Sequence, residues 1–213
     1  MNIPTKITVS RIALIVAMLI AMVVVDGLSM AGAINLNSFA IDCGNGLYIG
    51  GFYLILCIVF IIASFTDFLD GYLARKWHQV TDLGKFLDPV ADKLLINITF
   101  IYLCIGHNQP ALDIPFFVYV VILMVARDIV VDALRFIAAG KGKVLAANIF
   151  GKIKTVCQMV AIPLILLNGF PFAYFDGGWI TRIVVYATAF ASLLSGVIYV
   201  AQNLDVFKED KHE

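Results

Sequence analysis

The sequence predicts an all-α, polytopic membrane protein with six transmembrane helices and both termini on the cytoplasmic side. Three observations carry that expectation. Of the 213 residues, 62% are apolar and 14% are charged, with a mean hydropathy of +0.95; soluble domains average about 45–50% apolar and about 25% charged. A soluble core could not hide this much apolar surface, so lipid must solvate much of it. Apolar runs also recur near the ~20-residue length that crosses a bilayer core. Finally, the basic residues alternate from one connection to the next.

The six runs cover 7–25, 47–66, 89–106, 114–139, 145–167 and 180–201. The first could instead be a signal peptide, because Lys6 and Arg11 come before its uninterrupted apolar stretch and Met30-Ala31-Gly32-Ala33 resembles a cleavage site. It is long enough to remain as a span. The second run contains no charge. The connections 28–46, 107–113 and 169–178 lack Lys and Arg, whereas Lys6, Arg75, Lys76, Lys85, Lys141, Lys143, Lys152, Lys208 and Lys211 fall on the opposite side. The positive-inside rule puts that side in the cytoplasm. No soluble domain, low-complexity tract or clear repeat interrupts the pattern, so residues 1–213 read as a single membrane domain. Short connections favour antiparallel neighbours.

A net charge of zero implies no polyanionic partner, and no nucleic acid is expected. Cys57, Cys104 and Cys157 lie in apolar runs, where cysteine behaves as a small core residue. With Cys43 they form no CxxC or Cys/His cluster. A disulfide framework and a zinc site are not expected.

The chemistry lies in Asp67, Asp70, Asp88 and Asp92. If the second span continues as helix, positions 67, 70, 71 and 74 step by i, i+3, i+4 and i+7 and share one face. Gly84, Asp88 and Asp92 step by four and share a side of the third helix, with a kink or a helix start expected near Pro89. Two antiparallel helices then present four carboxylates to each other. Such a cluster needs a compensating cation, and Mg²⁺ or Mn²⁺ prefers carboxylate oxygen. Gly71, Ala74 and Gly84 leave room for a ligand, and Arg75 supplies positive charge for a phosphate. The plainer reading is a solvated acidic rim. Asp92 fits it poorly, because an ionisable group within a membrane bundle is a functional candidate by default. A second charged group comprises Arg127, Asp128, Asp132 and Arg135 on the fourth span, with Lys152 and Lys154 opening the fifth. It reads either as structural ion pairing or as an anion pocket.

The spacing Asp-x2-Asp-Gly-x2-Ala-Arg-x8-Gly-x3-Asp-x3-Asp, filled by Asp67, Asp70, Gly71, Ala74, Arg75, Gly84, Asp88 and Asp92, resembles the signature of the CDP-alcohol phosphatidyltransferase family. Asn2-Ile3-Pro4 with Thr8 and Arg11, Ala126-Arg127-Asp128 with Leu134-Arg135, and Gly151 to Thr155 with Gln158-Met159 resemble its bacterial branch that uses glycerol 3-phosphate. Thr5 and Asp128 stand where Asn and Glu are common in that branch, and Asp132 is an additional acid.

The resemblance implies transfer of the phosphatidyl group of CDP-diacylglycerol to sn-glycerol 3-phosphate, giving phosphatidylglycerol phosphate and CMP. It implies that Asp67, Asp70 and Asp88 hold the metal, two ions of Mg²⁺ or Mn²⁺, with Asp92 as ligand and general base. Thr5, Thr8, Asp67, Gly71, Ala74, Arg75, Thr81 and Gly84 would bind CDP-diacylglycerol. Arg127, Arg135, Lys152 and Lys154 would receive the acceptor phosphate, with Asp128 and Asp132 orienting the arginines. A homodimer in the bacterial inner membrane, with its active site facing the cytoplasm, is the expected setting. One rival reading keeps the family but changes the acceptor, to inositol phosphate or phosphatidylglycerol. Another is a membrane prenyltransferase, whose motif would want an acid near position 74. A third is a transporter, which would need polar sites reachable from both sides.

Overall fold

The computed structural model describes residues 3–34, 39–76, 82–105, 114–142 and 149–204, except for the side chains of 3–5, 68–75, 82, 83, 85 and 86. The chain is mostly helical. Its long helices are α1 (Ile3–Met30), α2 (Gly51–Lys76), α3 (Asp82–Ile105), α4 (Phe117–Gly140), α5 (Ile149–Leu166) and α7 (Trp179–Gln202), with a short α6 (Ala173–Asp176). Apolar sequence forms long helices here because a helix satisfies its own backbone, which lipid cannot do. Segments Lys6–Met30, Ile149–Leu166 and Trp179–Gln202 are long and apolar enough to cross a membrane, and Gly51–Asp67 is a shorter apolar stretch. Large apolar side chains such as Val23, Phe190 and Val197 point outward, while Thr99, Gln158, Ser192 and Ser195 are buried. That inversion suits a lipid solvent.

Helix ends differ from the apolar runs in several places. The run beginning at Leu47 is not helical at its start. Tyr48–Gly50 forms β2, paired antiparallel with β1 (Ala40–Asp42) in the register Ala40↔Gly50, Ile41↔Ile49 and Asp42↔Tyr48. Gly44, Asn45 and Gly46 all adopt positive φ and turn the chain between the strands, and the Gly44 N–H donates to Asp42 Oδ1 at 2.8 Å. The all-α expectation is thus corrected by one small hairpin. Helix α2 starts directly from it at Gly51, where a Cβ would lie 2.7 Å from the Phe39 carbonyl oxygen.

Helix α1 runs on to Met30. It stops where Gly32, at φ +71°, lets the Ala33 N–H reach back to the Leu28 carbonyl at 2.9 Å, a left-handed cap. Helix α3 starts at Asp82 rather than at Pro89, which sits inside it. Proline removes one donor without ending the helix, because the charge-bearing segment 82–88, with Asp82, Lys85 and Asp88, extends the helix ahead of the apolar run.

The chain divides into two compact units. The first comprises 1–113 and 162–181. In it α1 packs against both α2 and α3, with Ile15, Met18, Met22, Phe60, Leu95 and Phe100 buried. Tyr102 Oη donates to Asp26 Oδ1 at 2.9 Å, with the Tyr53 ring centroid 6.4 Å from that of Tyr102. Asn168 Nδ2 ties the end of α5 to the Tyr48 carbonyl at 3.1 Å. The second unit comprises 114–161 and 182–213. Val131, Leu134, Ala138 and Tyr199 form its core on α4 and α7.

Candidate active site

On α1, Thr8, Arg11, Ile15, Met18 and Met22 fall at three- and four-residue steps, and all five are buried. Two polar residues therefore continue an apolar stripe. A cation buried in such a stripe needs an anionic partner, and Arg11 has one: its Nη1 is paired with Asp67 Oδ1. One turn earlier, Thr8 Oγ1 donates to Asp88 Oδ1 at 2.8 Å. Asp67 and Asp88 are also close enough for their charges to act on each other. The first unit thus gathers Thr8, Arg11, Asp67 and Asp88, from three helices.

Helix α3 is continuous across Gly84, Asp88 and Asp92, which keeps them on one side as the four-residue spacing requires. Gly84 is buried, and so is Asp92 Oδ1. The backbone of α2 stays helical to Lys76, so positions 67, 70, 71 and 74 share a face. The side chains of Asp70, Gly71, Ala74 and Arg75 lie outside the described residues, as do Thr81 and the Thr5 side chain. Among the described residues no three His, Cys, Asp or Glu side chains gather closely enough to hold an ion; Asp70 is not among them.

The donor set still suits a divalent cation. All its members are carboxylates, hard oxygen ligands of the kind Mg²⁺ and Mn²⁺ take. Asp67 and Asp88 repel each other, and the Arg11 pairing offsets one of those two charges. Arg11 is the residue whose role the acidic motif does not reveal. Its signal is a cation on the buried stripe of an apolar helix.

The second unit builds a different arrangement. Lys154 Nζ donates to both oxygens of Asp128, at 2.5 and 2.6 Å. Arg127 Nη1 donates to Asp128 Oδ1 at 2.9 Å. Arg127 Nη2 also donates to Ser195 Oγ on α7. Asp128 and Lys154 are buried, and two cations share this one carboxylate. Arg135 lies apart from this knot: its Nε donates to Tyr199 Oη at 3.0 Å. Lys152 is exposed near the start of α5. Of the four expected phosphate ligands, Arg127 and Lys154 are brought together through Asp128, and the other two are not joined to them.

The sequence pattern of the CDP-alcohol phosphatidyltransferase family matches residues 1–194. A Bacillus subtilis protein named CDP-diacylglycerol–glycerol-3-phosphate 3-phosphatidyltransferase is 37% identical over 208 residues, covering 97% of each chain. Proteins of the same name from Rickettsia felis and Mycoplasma genitalium are 33% and 32% identical, over 93% and 96% of this chain and 93% and 84% of their own. With that match across most of its length and relatives of this identity, the chain belongs to the CDP-alcohol phosphatidyltransferase family.

Proposed function

We propose that this enzyme transfers the phosphatidyl group of CDP-diacylglycerol to sn-glycerol 3-phosphate, releasing CMP and phosphatidylglycerol phosphate. The observation that carries this reading is the pairing of the aspartate site with end-to-end similarity to relatives of that name. The family is generally dependent on a divalent metal. Asp67, Asp70 and Asp88 would hold two ions of Mg²⁺ or Mn²⁺, with Asp92 beside them. Bound there, such cations neutralise the pyrophosphate and the CMP leaving group.

The remaining work falls to side chains. Arg11 holds Asp67 and Thr8 holds Asp88, so the carboxylates keep their orientation. Asp92 accepts the proton of the acceptor hydroxyl as its oxygen attacks the phosphatidyl phosphorus. The bond from that phosphorus to the CMP phosphate oxygen breaks. Gly71, Ala74, Arg75, Thr81 and Gly84, with Thr5 and Thr8, line the CDP-diacylglycerol site. The acceptor phosphate is received by Arg127, Arg135, Lys152 and Lys154. The arginine fork matches phosphate oxygens, and lysine adds a mobile point charge. The chain works as one domain of six spans, as a homodimer in the bacterial inner membrane, with its termini and active site cytoplasmic.

Purified protein given CDP-diacylglycerol should release CMP with glycerol 3-phosphate, and far less with inositol phosphate or phosphatidylglycerol. Preferred turnover with either of those acceptors would move the chain to another branch. Arg127→Ala and Lys152→Ala should each raise KM for glycerol 3-phosphate by roughly 10- to 100-fold, the equivalent of a ~1.5–3 kcal/mol hydrogen bond to a charged group. KM for CDP-diacylglycerol should change little. If both variants weaken only the lipid substrate, the pocket is assigned to the wrong ligand.

A further inference from the structure

We infer that Gly196, with Ser195 beside it on α7, is a positioning residue that sets the rotamer of Arg127 and hence the grip on the acceptor phosphate. This rests on the acceptor pocket proposed above. Three observations within the second unit carry it.

A Cβ built on Gly196 would lie 2.6 Å from Arg127 Cγ, 3.2 Å from its Nε and 3.4 Å from its Cδ. The stem of the arginine therefore lies directly on the α7 backbone. The closest atom is Cγ, near the root of the side chain, so the collision cannot be relieved at the flexible tip. Any residue other than glycine would drive Arg127 into another rotamer. By contrast, a Cβ at Gly27 or Gly151, also within helices, would meet nothing within 4 Å. Glycine is a poor helix former, and at 196 a specific contact requires it.

The second observation is the hydrogen bond from Arg127 Nη2 to Ser195 Oγ, which fixes the far end of the same side chain. The third is that Arg127 Nε is buried with no partner among the described residues. The fork is thus held at both Nη atoms, by Asp128 and Ser195, over a glycine floor. Holding the fork before the ligand arrives lowers the ordering that binding must impose.

The test is steady-state kinetics of the full-length enzyme in lipid–detergent micelles, varying each substrate in turn. Gly196→Ala should raise KM for glycerol 3-phosphate by about tenfold or more. Ser195→Ala should raise it by a smaller factor. Neither should change kcat or KM for CDP-diacylglycerol more than about twofold. In an Arg127→Ala background, where the colliding stem is gone, Gly196→Ala should add nothing. That double variant also guards against misfolding, since it should insert and melt like Arg127→Ala alone. If Arg127→Ala raises this KM and Gly196→Ala does not, the positioning role is overturned while the pocket stands. An equal effect of Gly196→Ala with and without Arg127 also overturns it. An unchanged KM in Arg127→Ala overturns the acceptor pocket and this role together.

Discussion

Asp88→Asn is expected to cut turnover by more than about a hundredfold with little loss of folded protein. Removing a residue that only supports a metal ligand already costs about 10–100-fold, and Asp88 is placed as a ligand itself. Asparagine keeps the shape and an oxygen that can still accept the Thr8 hydroxyl, now at 2.8 Å. What it removes is the charge. Asp67→Asn should be equally inactive but less clean, because it takes an anionic partner from the buried Arg11. Breaking a fully buried pair costs about 3–5 kcal/mol, and the Asp67 side chain is 30% exposed, so solvent screening should bring the loss below that range. Chelator should silence the native enzyme, and Mg²⁺ or Mn²⁺ should restore it. Turnover, extraction yield and melting temperature measured side by side would check all of this. Full turnover in metal-free buffer would sink the metal assignment.

Asp92→Asn should lower kcat by ~10²-fold or more, the typical contribution of a positioned general base. The loss should be larger if the carboxylate also holds metal. Asp92 lies one helical turn beyond Asp88 on the same side of α3, with Oδ1 buried. A base so placed acts on the acceptor hydroxyl as its oxygen attacks, so its removal should appear in kcat and spare the lipid substrate. Equilibrium binding of CDP-diacylglycerol to Asp92→Asn, compared with single-turnover rates, separates the two effects. Near-native turnover would remove Asp92 from the mechanism.

The helices were legible because the long apolar runs of this chain fold as helix, and α4, α5 and α7 begin and end within a few residues of those runs. The hairpin was not legible, because Leu47 and Ile49 are as apolar as the helix that follows them. Its signal was the Gly44-Asn45-Gly46 turn. The start of α3 was hidden by the charges of Asp82, Lys85 and Asp88, which belong to the helix but not to the apolar run. At the site, the shared side of Gly84, Asp88 and Asp92 could be read from spacing, since i+4 steps survive any helix boundary error. The partners of the carboxylates could not. Arg11 meets Asp67 across 56 positions of sequence, a pairing decided by how α1 packs on α2. In the second unit Asp128 was expected to orient arginines, and it does hold Arg127. Its bond to Lys154 on another helix, and the attachment of Arg135 to Tyr199, depend on packing that no local pattern encodes.

The hairpin has a consequence for the phase of α2. The strand register and the absence of a Cβ at Gly51 pin the first turn of that helix against Phe39. From there to Asp67 runs about 24 Å of uninterrupted helix, and each residue adds about 100° of rotation. The hairpin therefore acts as the zero mark of a gauge whose reading at the far end is the direction of a carboxylate. One residue inserted between Phe52 and Thr66 would swing Asp67 away from Arg11 while leaving composition and hydropathy almost unchanged. One residue inserted into the turn at 44–46 would leave that reading where it is.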